Sequence, residues 1–145
     1  MNWVLIALGA GGVIAVQAAM NSRLGRELGS PALATLANCA IATLLVLGYC
    51  LIVRAGAPQA GVMLRVPVWA WFGGMLGACY VAAVIVTTPK LGVGTMAGFV
   101  IAGQMLMALA LDHFGLLGLD RHPISVGRVA GIALIVTGVF LLKRF

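Results

Sequence analysis

Long apolar runs separated by short polar breaks make up almost the whole chain. Five runs reach the length of about 20 residues that a helix needs to cross a bilayer. They cover about Asn2–Ser22, Pro31–Val53, Val68–Thr88, Gly92–Leu111 and Ser125–Leu142. Each run is continuous, with no period-two alternation, so the pattern predicts helices and excludes the strands of a membrane β-barrel. The breaks carry helix signals. Ser30-Pro31 reads as an N-cap followed by a proline in the first turn, and Pro67 opens the third run. Pro89-Lys90 is expected to stop the third helix. The segment 54–66 (RAGAPQAGVMLRV) is polar enough to lie at the membrane surface. In the segment 112–124 (DHFGLLGLDRHPI), the FGLLGL portion suits a short turn in the interface. The expected fold is all-α and integral to the membrane, a single membrane domain over residues 1–145 with five transmembrane helices.

Composition agrees with this pattern. Of 145 residues, 63% are hydrophobic and 8% are charged, against about 25% charged in a soluble domain. The net charge of +6 is scattered over the run ends, where membrane proteins place cations. No basic cluster with interleaved aromatics points to nucleic acid. Cys39, Cys50 and Cys79 lie inside apolar runs and read as small hydrophobes. No basic residue precedes Arg23, so the first run is expected to be a retained helix and not a secretory signal.

An odd number of spans puts the termini on opposite sides. Arg54, Arg65, Arg121 and Arg128 then fall on one side, and Arg23, Arg26, Lys90, Lys143 and Arg144 on the other. Orientation follows the bias in Lys and Arg, and four against five is almost no bias. This favours insertion in both orientations over a single topology fixed by another determinant.

Glycines recur four apart in Gly73-x-x-x-Gly77, Gly94-x-x-x-Gly98 and Gly127-x-x-x-Gly131, with Gly138 on nearly the same face as the last pair. Such spacing lets helix backbones approach closely. With 20 glycines in the chain any one instance is weak, but close packing somewhere is expected.

Polar groups inside spans are costly and mark function by default. Gln17 and Asn21 share a face of the first helix. Thr35, Asn38 and Thr43 lie in the second, Tyr80, Thr87 and Thr88 in the third, and Thr95 and Gln104 in the fourth. One reading makes Gln17, Asn21, Tyr80 and Gln104 a polar, substrate-binding pocket. The other makes the amides hydrogen-bonding glue between helices. Trp69 and Trp71, at a helix start, read as interface anchors.

Asp112 falls at a helix C-terminus, where the macrodipole disfavours an anion. Arg128, on the same side of the membrane, is its expected partner in a structural ion pair. The alternative is a proton or substrate relay including His113, since histidine is the side chain suited to proton transfer near neutral pH. Asp112, His113, Asp120 and His122 match no metal-ligand spacing, and no metal or other cofactor is expected. No nucleophile–base pair or phosphate loop suggests an enzyme. No acidic residue lies mid-span, which argues against a central proton/cation exchange site.

The stretches QAAMNSRL (17–24), GGMLGACYV (73–81), TPKLGVG (88–94), AGQMLMALALDHFGLLGL (102–119) and RVAGIALIVTGVFLL (128–142) resemble the short YdcZ-like branch of the drug/metabolite transporter superfamily. The second helix matches least, with Asn38 and Cys39 where the family has plainer apolar residues. The resemblance implies half of a ten-helix inverted-repeat transporter, completed by a second copy as an antiparallel, dual-topology homodimer in a bacterial-type inner membrane. It also implies a central cavity lined by helices one, three and four, with Gln17, Asn21, Tyr80 and Gln104 on it. The expected function is secondary transport of a small organic solute. The alternative is a non-transporting membrane subunit that pairs with or stabilises another membrane protein.

Overall fold

A computed structural model of the protein describes residues 2–57 and 60–144. Five helices are long and apolar enough to cross a membrane. They are α1 (Asn2–Glu27), α2 (Pro31–Ile52), α3 (Gly73–Leu91), α4 (Val93–Phe114) and α5 (Val126–Arg144). A 3-10 segment, Val68–Phe72, leads into α3, and a single helical turn, Ala60–Met63, lies upstream of it. No strand occurs among the described residues.

The third helix opens as the 3-10 segment Val68–Phe72 and is α-helical only from Gly73, and three helix ends extend three residues or more past the sequence reading. The first helix continues past Ser22 to Glu27. Arginine, leucine and glutamate are good helix formers, so Arg23 ends the apolar run without ending the helix. The third passes through Pro89 and ends at Leu91. So close to the terminus, proline removes only one bond of the last turn. The break comes instead at Gly92, whose φ of 78° and ψ of 157° lie in a region essentially open only to glycine. The fourth runs to Phe114, which draws Asp112 and His113 into its last turn.

The chain forms two compact units, Met1–Pro89 and Lys90–Phe145. In the first, α1 and α2 pair as an antiparallel hairpin. Ser30 Oγ accepts the Leu33 N–H at 3.3 Å and caps α2, with Pro31 in its first turn. Among the glycines of this unit, Gly25 makes the closest approach to its neighbours. A Cβ there would lie 2.6 Å from Ile85 Cγ2 of α3 and 3.7 Å from Ala34 Cβ of α2. Ala18, Ala34, Val84 and Ile85 are buried in this unit, together with the polar residues Asn21, Ser22 and Thr88.

The second unit is the α4–α5 hairpin, also antiparallel. Phe99 meets Phe140 edge to face at 5.9 Å, and Lys143 Nζ stands 5.9 Å from the Phe99 ring centroid. A Cβ on Gly98 would lie 2.9 Å from Val139 Cγ2. Of the glycine pairs read as packing motifs, only Gly98 meets such an approach among the described residues. Gly73, Gly77, Gly94, Gly127, Gly131 and Gly138 face open space. Large apolar side chains such as Leu8, Leu45 and Leu134 are mostly exposed, as expected where lipid is the solvent.

Candidate functional site

The α1–α2 hairpin opens into a groove of about 680 Å3 lined by Gly9, Gly12, Val13, Val16, Gln17, Met20, Asn21, Leu24, Asn38 and Ile41. Its walls are apolar apart from three amides. Asn21, only 8% exposed, donates from Nδ2 to Asn38 Oδ1 at 3.0 Å. Gln17 is one turn from Asn21 on the same face and is exposed, with no side-chain hydrogen bond among the described residues. The groove is open because glycine replaces a side chain at Gly9 and Gly12, where a Cβ would meet nothing within 4 Å.

Gln17 and Asn21 of the proposed pocket therefore share one groove. Tyr80 is half-buried in α3 and Gln104 is exposed in α4; neither lines this groove or the one described next. Gln17 lies six residues before Arg23, Gln104 eight before Asp112 and Tyr80 ten before Lys90. At 1.5 Å per residue, Gln17 is about 9 Å, Gln104 about 12 Å and Tyr80 about 15 Å along its own helix from that charge.

The second groove, about 270 Å3, lies between α4 and α5 and is lined by Met105, Ala108, Leu109, Asp112, Arg128, Gly131, Ile132 and Ile135. Arg128 Nη1 donates to Asp112 Oδ2 at 3.1 Å, with 43% and 35% of the two side chains exposed. Around this pair, the carbonyls at the end of α4 are closed off by the loop that follows. Gly115, in the left-handed conformation (φ 60°, ψ 39°), donates its N–H to Leu111 O. His122 N–H donates to Asp112 O at 2.8 Å. Arg121 Nε donates to His113 O at 3.0 Å. A cation at that end also opposes the negative pole of the helix. His113 Nδ1 accepts from Ile124 N–H at 3.4 Å, so the imidazole anchors the returning loop. Ser125 Oγ accepts the Arg128 N–H at 3.3 Å and caps α5. The FGLLGL stretch contains a 3-10 turn, Leu116–Gly118, with Leu116, Leu117 and Leu119 about half exposed.

Two groups were missed by sequence reasoning. Asn38 stood apart as a departure from the family pattern, yet it is the acceptor for Asn21. Arg121 was read only as a loop charge, yet it caps α4. In neither case does spacing identify the partner, since both bonds bridge separate elements.

No curated protein and no solved structure matches the chain. Residues 2–141 match the model of the family described as "Putative inner membrane exporter, YdcZ", a family of transporters and not of enzymes. With five apolar helices of spanning length and a match over nearly its whole length, the chain belongs to the YdcZ family of inner-membrane exporters, within the drug/metabolite transporters.

Proposed function

We propose that the chain acts as one half of a secondary exporter for a small organic solute, a single membrane domain completed by a second copy in the opposite orientation. The observation that carries this reading is the state of Gln17 and Gln104. Both amides lie inside apolar runs, exposed, and without a side-chain hydrogen bond among the described residues. Leaving an amide unpaired in hydrocarbon costs about 4–8 kcal/mol on the cyclohexane scale. An amide so placed therefore belongs against a polar cavity or a partner surface, not against lipid. Transporters built of inverted repeats place their solute site near the midplane. Two opposed copies of one chain reproduce such a repeat, and the four-to-five balance of basic residues across the membrane suits both orientations.

In this reading Gln17, Asn21, Tyr80 and Gln104 bind the solute. Amide and phenol groups donate and accept hydrogen bonds without net charge. They suit a neutral, zwitterionic or weakly charged solute better than a strong cation. A second reading, in which the amides only join helices and the chain serves as a non-transporting subunit, draws support from the Asn21–Asn38 bond.

A thermal-shift screen of the purified protein against neutral, zwitterionic and cationic solutes separates the two, because a ligand of the folded state raises Tm. On a stabilising solute, Gln17→Ala and Gln104→Ala should each cut affinity at least tenfold while Tm without solute and dimer content hold. Unchanged affinity with a lowered Tm would favour the second reading.

A further inference from the structure

We propose that the α4–α5 groove holds a membrane phospholipid whose headgroup pairs a phosphate with a primary ammonium, the chemistry of phosphatidylethanolamine. The groove has a charged mouth and an apolar body. Asp112 and Arg128 lie within the last turn of α4 and the first turn of α5, the depth at which lipid headgroups sit. From there the lining runs inward through Leu109, Ala108 and Met105 on one wall and Gly131, Ile132 and Ile135 on the other. That polarity gradient is the one a phospholipid presents. At roughly 30 Å3 for a group the size of a water molecule, the groove of about 270 Å3 takes part of one acyl chain.

The ion pair itself leaves room for the headgroup. Only one bond joins it, from Arg128 Nη1 to Asp112 Oδ2. Arg128 keeps donors on Nε and Nη2, and Asp112 keeps Oδ1, none with another protein partner among the described residues. A guanidinium binds phosphate in two-pronged fashion, and a carboxylate oxygen accepts from an ammonium N–H. A headgroup carrying both groups side by side satisfies both residues without breaking their mutual bond. An anionic headgroup lacking the ammonium meets Arg128 but is repelled by Asp112. A quaternary ammonium has no N–H to give to Oδ1. The pair thus selects among lipids, which a lone arginine at a helix end does not.

The test uses the purified full-length protein in mild detergent with phosphatidylethanolamine, phosphatidylcholine or phosphatidylglycerol of identical chains, and with soluble phosphoethanolamine. Bound lipids are counted by native mass spectrometry, and Tm is read in parallel. Phosphatidylethanolamine should be retained preferentially and raise Tm most. Asp112→Asn, which keeps the shape and an acceptor for Arg128, should reduce its preference over phosphatidylglycerol by about tenfold, the worth of a charge-assisted hydrogen bond. Gly131→Leu should abolish retention by filling the groove, since a side chain there meets open space and the ion pair is left intact. The proposal is overturned if the three lipids bind alike, if Gly131→Leu retains lipid, or if soluble phosphoethanolamine stabilises as well as the lipid. It is also overturned if Gly131→Leu splits a dimer that carries no lipid, since a second copy would then occupy the groove.

Discussion

Removing both Asp112 and Arg128 should leave the protein as stable as it was, although removing one partner of a buried pair usually costs about 3–5 kcal/mol. The geometry sets the smaller scale. With 35% and 43% of the side chains exposed and a single bond of 3.1 Å, the pair belongs with solvated ion pairs, worth at most about 1 kcal/mol. We take about 0.5–1 kcal/mol, the upper half of that range, because the charges sit at the membrane edge. Each charge also stands at the unfavourable pole of its helix. Asp112 is in the last turn of α4 and Arg128 in the first turn of α5, and each misplacement costs about 0.3–1 kcal/mol. A single alanine change forfeits the pair but relieves one dipole penalty, so Asp112→Ala and Arg128→Ala should each fall within about 0.5 kcal/mol of the parent. The double change forfeits the pair once and relieves both penalties, and should match or slightly exceed the parent. Reversible unfolding in mixed micelles, arranged as a double-mutant cycle, measures the coupling, which should shrink in high salt. A coupling indistinguishable from zero would show that the pair does not form, and one of about 3 kcal/mol or more would show that it is buried; either refutes the reasoning.

Packing inside the first unit gives two further expectations. Gly25→Ala should destabilise by about 1–3 kcal/mol through overpacking, because the new Cβ would stand 2.6 Å from Ile85 Cγ2; in an Ile85→Ala background, itself destabilised by about 2–5 kcal/mol through loss of a buried side chain, the same glycine change should cost little in a thermal melt, and Gly77→Ala, facing open space, should leave the protomer's unfolding unchanged. Asn38→Ala should cost about 0.6–1.7 kcal/mol, the range measured for interhelical hydrogen bonds in membranes, by leaving Asn21 Nδ2 without its acceptor; a neutral result in the same unfolding assay would remove the bond from the account.

The five spans were legible because a bilayer imposes one demand, a run of apolar residues long enough to cross it, and the chain meets it five times. Helix ends were less legible, because composition marks where lipid ends and not where the backbone stops being helical. Arg23 and Lys90 close apolar runs while α1 and α3 continue to Glu27 and Leu91. Packing was legible in kind but not in place. Glycines four apart describe a surface that permits close approach, but contact depends on what lies opposite. Gly98 has Val139 and Gly25 has Ile85, whereas Gly127 and Gly131 have nothing within 4 Å. The shared face of Gln17 and Asn21 followed from helical spacing. Asn38 as partner did not, because it depends on how α2 is rotated about its axis where it meets α1. The same limit hid Arg121, whose bond to the His113 carbonyl is made by a loop that folds back on α4.

The central claim is that two copies of this chain work in opposite orientations. Reporters fused to the C-terminus, one active only in the cytoplasm and one only outside the inner membrane, read it most directly. Comparable signals from both are expected in the unmodified protein, and a shift to one reporter when two lysines are added to a single side, since the nine basic residues divide four to five. One clean orientation in the unmodified protein, with the other reporter silent, would contradict it.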